Sequence, residues 1–237
     1  ENQSDFAIAE NELHISKFKV ERNEQYISID GCLSRNDLDK LNFKINDIDL
    51  KELGVLIGAD VNMKGLINGW GNISNPYTNL NYMGDATIQD LYINNEEVGD
   101  VFFQSEWNKA RESVGLIGDL LYKGNQTFKF DGNYFLDRET ENLDFNLLFD
   151  QTDLQFTNAF MDPDVINNIK GVIDGRLKVT GTPDSPKLDG EIELVGGNAK
   201  IEILGVNFGF NGEISVDEYG FYIDNMPVLD EEGNTGD

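Results

Sequence analysis

The sequence predicts an all-β protein: an elongated, curved, mainly antiparallel repetitive sheet with an apolar interior and one or two short helices. Three observations predict it. The first is alternation. Between Gly171 and Val216 apolar or glycine residues take every second position. Ile173, Gly175, Leu177 and Val179 come first, then Leu188, Gly190, Ile192 and Leu194, then Val206, Phe208, Phe210, Gly212 and Ile214. A period of two puts one set on one sheet face and the charged set on the other. The second is repetition. Gly65, Gly69, Gly84 and Gly99 recur as Gly171, Gly175, Gly190 and Gly205, each 106 positions on. Ile67, Ile73, Tyr82, Ile88 and Phe102 recur as Ile173, Val179, Leu188, Leu194 and Phe208. Upstream, residues 27–31 parallel 128–132, and 41–45 parallel 143–147. Two copies, approximately 12–113 and 114–216, then form one repetitive segment spanning 1–237, in which neighbours complete one another's core. The third is punctuation: 24 glycines and 5 prolines suit many strands joined by tight turns.

Taken in order, Phe6/Ile8, Leu13/Ile15, Phe18/Val20 and Ile27/Ile29 read as short strands, and Leu41/Phe43/Ile45 as the next. Asp49 to Ile57 has the spacing of a brief helix with Asp49 at its N-cap. Val61 to Ile73 is the first glycine-rich strand, and Asn75-Pro76 is its turn. Tyr82–Ile88, Leu91/Ile93, Val101–Trp107, Val114–Tyr122 and Phe128–Leu136 follow as strands. The second copy runs through Leu143–Phe149 and Leu154/Phe156. Asp162-Pro163 then opens a one-to-two-turn helix that ends at Lys170. After the strands of 171–216 come Phe221/Ile223, a break at Met226-Pro227, and the acidic run from Asp230. About fifteen strands, at ~4.8 Å each, make an open row ~70 Å long.

The formal net charge is −26, from 44 acids against 18 bases. That field repels nucleic-acid phosphates, so no nucleic-acid partner is expected. It also gives the outer face a solvated, edge-protecting charge. No apolar run approaches the ~20 residues of a membrane helix, the longest being Gly54–Ala59, and no signal peptide opens the chain. The chain begins and ends in mid-pattern, as a piece of a longer polypeptide would. Cys32 and His14 are the only residues of their kinds, so neither an internal disulfide nor a Cys/His zinc site is possible. Cys32 reads as a small strand residue. Carboxylate pairs such as Asp47/Asp49 and Asp162/Asp164 are expected by chance at this composition. No nucleophile elbow, P-loop or EF-hand loop is present. No cofactor and no catalysis are expected. The sequons at Asn2, Asn72 and Asn125 carry little weight.

The series Lys170-Gly171, Gly175, Leu177, Val179-Thr-Gly-Thr-Pro183 and Pro186-x-Leu-x-Gly190 resembles the late repeats of TamB proteins. So do Leu204-Gly205, Gly212-x-Ile214 and the tail from Asp230 to Asn234. Ile27–Gly31, Val98–Phe102 and Trp107 look like the form found in Bacteroidota. TamB is the translocation and assembly module protein of the AsmA-like group of repetitive β-groove proteins. The resemblance covers nearly the whole chain and is most specific over 170–236. It implies a taco-like sheet and a periplasmic segment of a protein spanning from inner to outer membrane. It further implies phospholipid movement in outer-membrane biogenesis, or outer-membrane protein assembly and secretion with a BamA- or TamA-like barrel. That barrel would be met through other parts of the full chain, and adjoining segments of the same protein are further partners.

Few helices exist to cover the apolar face, so a sheet of this pattern must pack on another or fold into a trough. Glycines at Gly65, Gly69, Gly84, Gly171, Gly175 and Gly190 remove bulk and allow curvature. The expected lining is Ile67, Ile73, Ile88, Phe103, Trp107, Phe130 and Phe145 in the earlier strands. In the later strands it is Ile173, Leu177, Val179, Leu188, Ile192, Leu194, Phe208, Phe210 and Ile214. A trough so lined would take phospholipid acyl chains, each methylene gaining about 0.8 kcal/mol and a long chain roughly 10 kcal/mol. The same alternation also satisfies a closed sandwich core. Two further functions fit the pattern: a scaffold that holds outer-membrane strands by β-augmentation, and a secreted repetitive β enzyme or adhesin.

Overall fold

In the computed structural model residues 5–36, 38–52, 62–77, 80–223, 228–229 and 235–236 are described. The strands are β1 (Asp5–Ala9), β2 (Glu12–Arg22), β3 (Gln25–Leu33), β4 (Lys40–Asp49), β5 (Met63–Ser74), β6 (Asn81–Ile93), β7 (Glu96–Asn108) and β8 (Ser113–Tyr122). After them come β9 (Asn125–Tyr134), β10 (Leu143–Asp153), β11 (Ile166–Thr182), β12 (Ser185–Ile201) and β13 (Val206–Asp217). The short β14 (Gly220–Ile223), β15 (Val228–Leu229) and β16 (Thr235–Gly236) close the chain. Every strand from β1 to β13 pairs antiparallel with the next, giving one meandering sheet that is not closed. β14 and β15 both pair with β13. The accessible surface is 14886 Å². A compact chain of 26.6 kDa would expose about 10,700 Å². A single sheet that no second layer covers completely exposes more than a compact chain does.

The strands are longer than alternation alone indicates, because bulges were hidden in them. Leu13/Ile15 and Phe18/Val20 belong to one strand, β2, with an extra residue at Lys17 (φ 54). Tyr82–Ile88 and Leu91/Ile93 are one strand, β6, with the extra residue at Asp90 (φ 51). Each extra residue reverses the parity of the pattern, so the sequence shows a break where the ladder runs on.

Five of these bulges share one chemistry. The N–H of the left-handed residue donates to an Asp or Asn side chain on the following strand. Lys17 donates to Asp30 Oδ1 (2.8 Å), Asp47 to Asn68 Oδ1 (3.0 Å), Asp90 to Asp100 Oδ1 (2.8 Å) and Gln151 to Asp174 Oδ1 (2.8 Å). Gly196 donates likewise to Asn211. An extra residue leaves one amide outside the ladder, and the carboxylate or carboxamide supplies its missing acceptor. Bulges increase local twist and bend, and these five recur on β2, β4, β6, β10 and β12.

The helices lie where β4 passes to β5 and where β10 passes to β11. Residues 50–52 are helical, and Asp49 caps them by accepting from Lys51 N–H (2.9 Å). The rest of the expected helix to Ile57 lies outside the described residues. The second helix is displaced from its expected place. Asp162 does start a turn, accepting at its backbone from Val165 and Ile166 N–H (3.0 Å each), but β11 begins at Ile166. The 3-10 helix is Leu154–Phe160, read from the sequence as the strand Leu154/Phe156. Pairing of Ile166 with Ile201 on β12 draws 166–170 into the sheet. The side chain of Asp153 accepts from Gln155 N–H (2.9 Å) and starts the helix early.

Candidate functional site

Directly opposed residues in a ladder share a face, so the register assigns the inner surface strand by strand. Ile73 opposes Tyr82 and Ile67 opposes Ile88. Ile88 opposes Val101 and Ala86 opposes Phe103, with Trp107 on the same parity of β7. Phe103 opposes Gly118, Gly118 opposes Phe130, and Phe130 opposes Leu147. Leu147 opposes Leu177, and Phe145 opposes Val179. Ile173 meets Leu194, Val179 meets Leu188, and Ile192 meets Gly175 on one side and Ile214 on the other. Beyond the bulge, Gly197 and Ala199 meet Phe210 and Phe208. All sixteen expected lining residues therefore stand on one face, together with Leu41, Phe43 and Ile45 of β4. Ile173, Leu177 and Leu194 are buried, at 6%, 9% and 4% exposure. The remaining thirteen are half-buried. A closed sandwich would bury most of them.

The glycines serve close approach of neighbouring backbones. A Cβ on Gly190 would lie 2.2 Å from Arg176 O, and one on Gly175 2.4 Å from Glu191 O. Gly69 and Gly84 are a little less tight, at 2.9 Å and 2.7 Å from the facing carbonyls. Gly65 and Gly171 interrupt the β5–β6 and β11–β12 registers, with φ of 135 and 121. The 106-residue correspondence holds in register for these hairpins: Gly71 opposes Gly84, and Leu177 opposes Gly190. It fails at the last glycine. Gly99 lies in β7, while Gly205 lies in the turn before β13, and Phe102 faces outward where Phe208 faces inward. The longer β12–β13 connection displaces the match, so Asn211 takes the place of Asp100 as acceptor of the bulge amide.

One stretch of the inner face is covered. Leu50, Leu91, Val98, Leu120 and Ala159 form a buried cluster against Met63, Ile67, Ile88, Ile93, Val101 and Phe128. Ala159 comes from the 3-10 helix, which packs on β6, β7 and β11. Asn94 Nδ2 ties the β6–β7 turn to Ala159 O (2.9 Å). Asn158 both accepts from Ile169 N–H (2.9 Å) and donates to Ile169 O (3.0 Å), so it extends the β11 ladder by one side chain. The helix thus folds over one arm of the sheet. The sequence pointed to a helix near β11 but not to this plug, because Leu50 and Ala159 lie outside every alternating run.

The outer face is charged. Asp144 is held below the usual carboxylate range, first by the hydrogen bond from Lys178 and further by attraction to Lys178 and Arg111. The Cys32 thiol is pushed up, chiefly by burial and then by Asp39 and Glu12, so it stays protonated at neutral pH. Among the described residues no cluster of three His, Cys, Asp or Glu could hold a metal ion, and no helix is long and apolar enough to cross a membrane. The fold and face together define an open, one-layer antiparallel β-meander with one apolar face. Comparison with protein-family models, with curated proteins and with solved structures gives no match.

Proposed function

We propose that the chain is a TamB-like segment whose concave face shields phospholipid acyl chains as they pass between the inner and outer membranes. The observation that carries this reading is the single continuous apolar face, running from β4 to β13 of a sheet that is not closed and half-exposed along most of its length. An acyl chain laid there covers the surface that makes the chain so extended, at about 0.8 kcal/mol per methylene. The wall is mostly Ile, Leu, Val and Phe, and its polar hydroxyls at Tyr82 and Ser105 bond each other, so little on it holds an acyl chain in one register. The segment itself performs no chemistry. The location proposed is the periplasm, with a BamA- or TamA-like barrel reached through other parts of the full protein.

The test is native mass spectrometry of the purified segment with phospholipid added and removed, beside Ile192→Asp. Retained phospholipid that the folded variant loses supports the groove, and a folded wild type that retains none overturns it. A second reading, capture of outer-membrane strands, draws on one observation. Among the described residues β1 pairs with β2 from Glu12 to Ser16, whereas β7 covers β8 from Ser113 to Leu121. Among the described residues no strand pairs with the outer side of Phe18 to Arg22, which augmentation would cover. An amphipathic strand peptide that protects amides between Phe18 and Arg22 from exchange, without lipid retention, would favour it.

A further inference from the structure

The sheet's outer side carries an apolar feature that the groove does not use. Trp70, Met83 and Ile117 stand exposed there, at 42%, 44% and 57%. The register sets them together: Trp70 opposes Asp85, Met83 opposes Glu106, and Gln104 opposes Ile117. They wall a cleft of about 220 Å³, with Asp85 and Glu106 in the same wall. Its depth comes from Gly115, where a Cβ would meet nothing nearer than Glu106 O at 3.5 Å. The backbone does not demand a glycine at that position. Among the described residues neither Asp85 nor Glu106 has an ion-pair partner.

The matching place on β11–β12 shows what the cleft lacks. Trp70, Met83 and Asp85 correspond in register to Arg176, Asp189 and Glu191, which line one shallow depression. There the cation facing the carboxylates is part of the chain. In the β5–β6 hairpin an indole stands in its place, and the cation opposite that indole, Lys44 on β4, does not line the cleft but has its ammonium 5.5 Å from the Tyr26 ring. A tryptophan face beside two carboxylates attracts a guanidinium or ammonium through both the ring quadrupole and charge. A net charge of −26 steers such a group toward the surface.

We propose that this cleft docks a partner polypeptide through an Arg or Lys side chain laid on Trp70 between Asp85 and Glu106, with Met83 and Ile117 holding its apolar neighbours. This site is separate from the groove and stands whether or not the groove takes lipid. The probes are a fluorescently labelled Leu-Arg-Phe peptide, capped at both ends, and its citrulline isostere, followed by anisotropy. The Arg peptide saturates, its binding weakens as salt rises, and the citrulline peptide binds at least about tenfold more weakly. Gly115→Leu, which fills the cleft, and Trp70→Arg with Met83→Asp, which copy the other hairpin, each abolish binding with an unchanged melting temperature. Equal binding of both peptides overturns the proposal. So does Arg-peptide binding that survives Gly115→Leu, since it would then be general attraction to an acidic surface. If the double variant fails to fold, Gly115→Leu alone decides.

Discussion

The hairpins β5–β6 and β11–β12 have the same register and the same interrupting glycine, and their inner faces are both largely apolar. Their outer faces differ almost completely. Inward, Ile67, Ile73, Tyr82 and Ile88 correspond to Ile173, Val179, Leu188 and Leu194. Outward, Trp70, Asn72, Met83 and Asp85 correspond to Arg176, Lys178, Asp189 and Glu191. Both fold into the same ladder, so the shape comes from the inner face, the glycines and the bulge acceptors. The outer face is free to differ. It carries charge and an ion pair in one hairpin and an indole cleft in the other.

The largest contrast is expected at the crossing glycines. Gly190→Ala drives a Cβ to 2.2 Å from Arg176 O at a φ of 146, whereas Gly84→Ala meets Trp70 O at 2.7 Å. Urea unfolding gives a loss of about 3 kcal/mol for the first and about half that for the second. Equal losses would mean that the two hairpins cross with the same clearance. Removing a bulge acceptor is the next effect. Asp174→Ala leaves Gln151 N–H unpaired and Asn68→Ala leaves Asp47 N–H unpaired. The first costs about 2 kcal/mol and the second about 1 kcal/mol, because the first acceptor is charged.

The ion pair sharpens the comparison through pH. Asp144 has its folded pKa lowered from 3.8, first by the Lys178 hydrogen bond. Its contribution is therefore complete above its unfolded pKa and disappears as pH falls through the depressed folded value. Acid titration of the urea midpoint shows a decline below about pH 4 that Lys178→Met makes shallower. The ladders align Leu41 with Phe145, shifting the sequence parallel of 41–45 with 143–147 by two, so position 40 corresponds to Asp144; it holds a lysine, and Lys40→Met leaves that slope unchanged. The smallest effect is on the outer surface. Arg176→Trp, which copies the first hairpin onto the second, shifts stability by no more than about 0.5 kcal/mol.

Alternation and glycine spacing made the sheet and its inner face legible before any coordinates. Residues such as Ile173 and Phe130 had to lie inward once the period was two. What was hidden is equally physical. A bulge reverses parity, so β2 and β6 each read as two strands, split at Lys17 and at Asp90. The signal was present in Asp30-Gly31, Asn68-Gly69, Asp174-Gly175 and Asn211-Gly212, which lie within strands although such pairs usually mark turns. The helix was placed one element late because Asp162-Pro163 is a stronger local start than Asp153, while Ile166 gains a strand partner that local reading does not see. The outer cleft escaped notice because Trp70 falls on the polar parity, where a single aromatic carries no periodic signal.

The chain holds two tryptophans, and the sheet places them on opposite faces: Trp107 inward on β7 and Trp70 outward on β5. The most direct test of the groove is fluorescence quenching by phospholipid with brominated acyl chains, read in Trp70→Phe and Trp107→Phe variants. Quenching of Trp107 with Trp70 left bright is the result expected of acyl chains lying in the concave face. Quenching of Trp70 alone, or of neither, would contradict it.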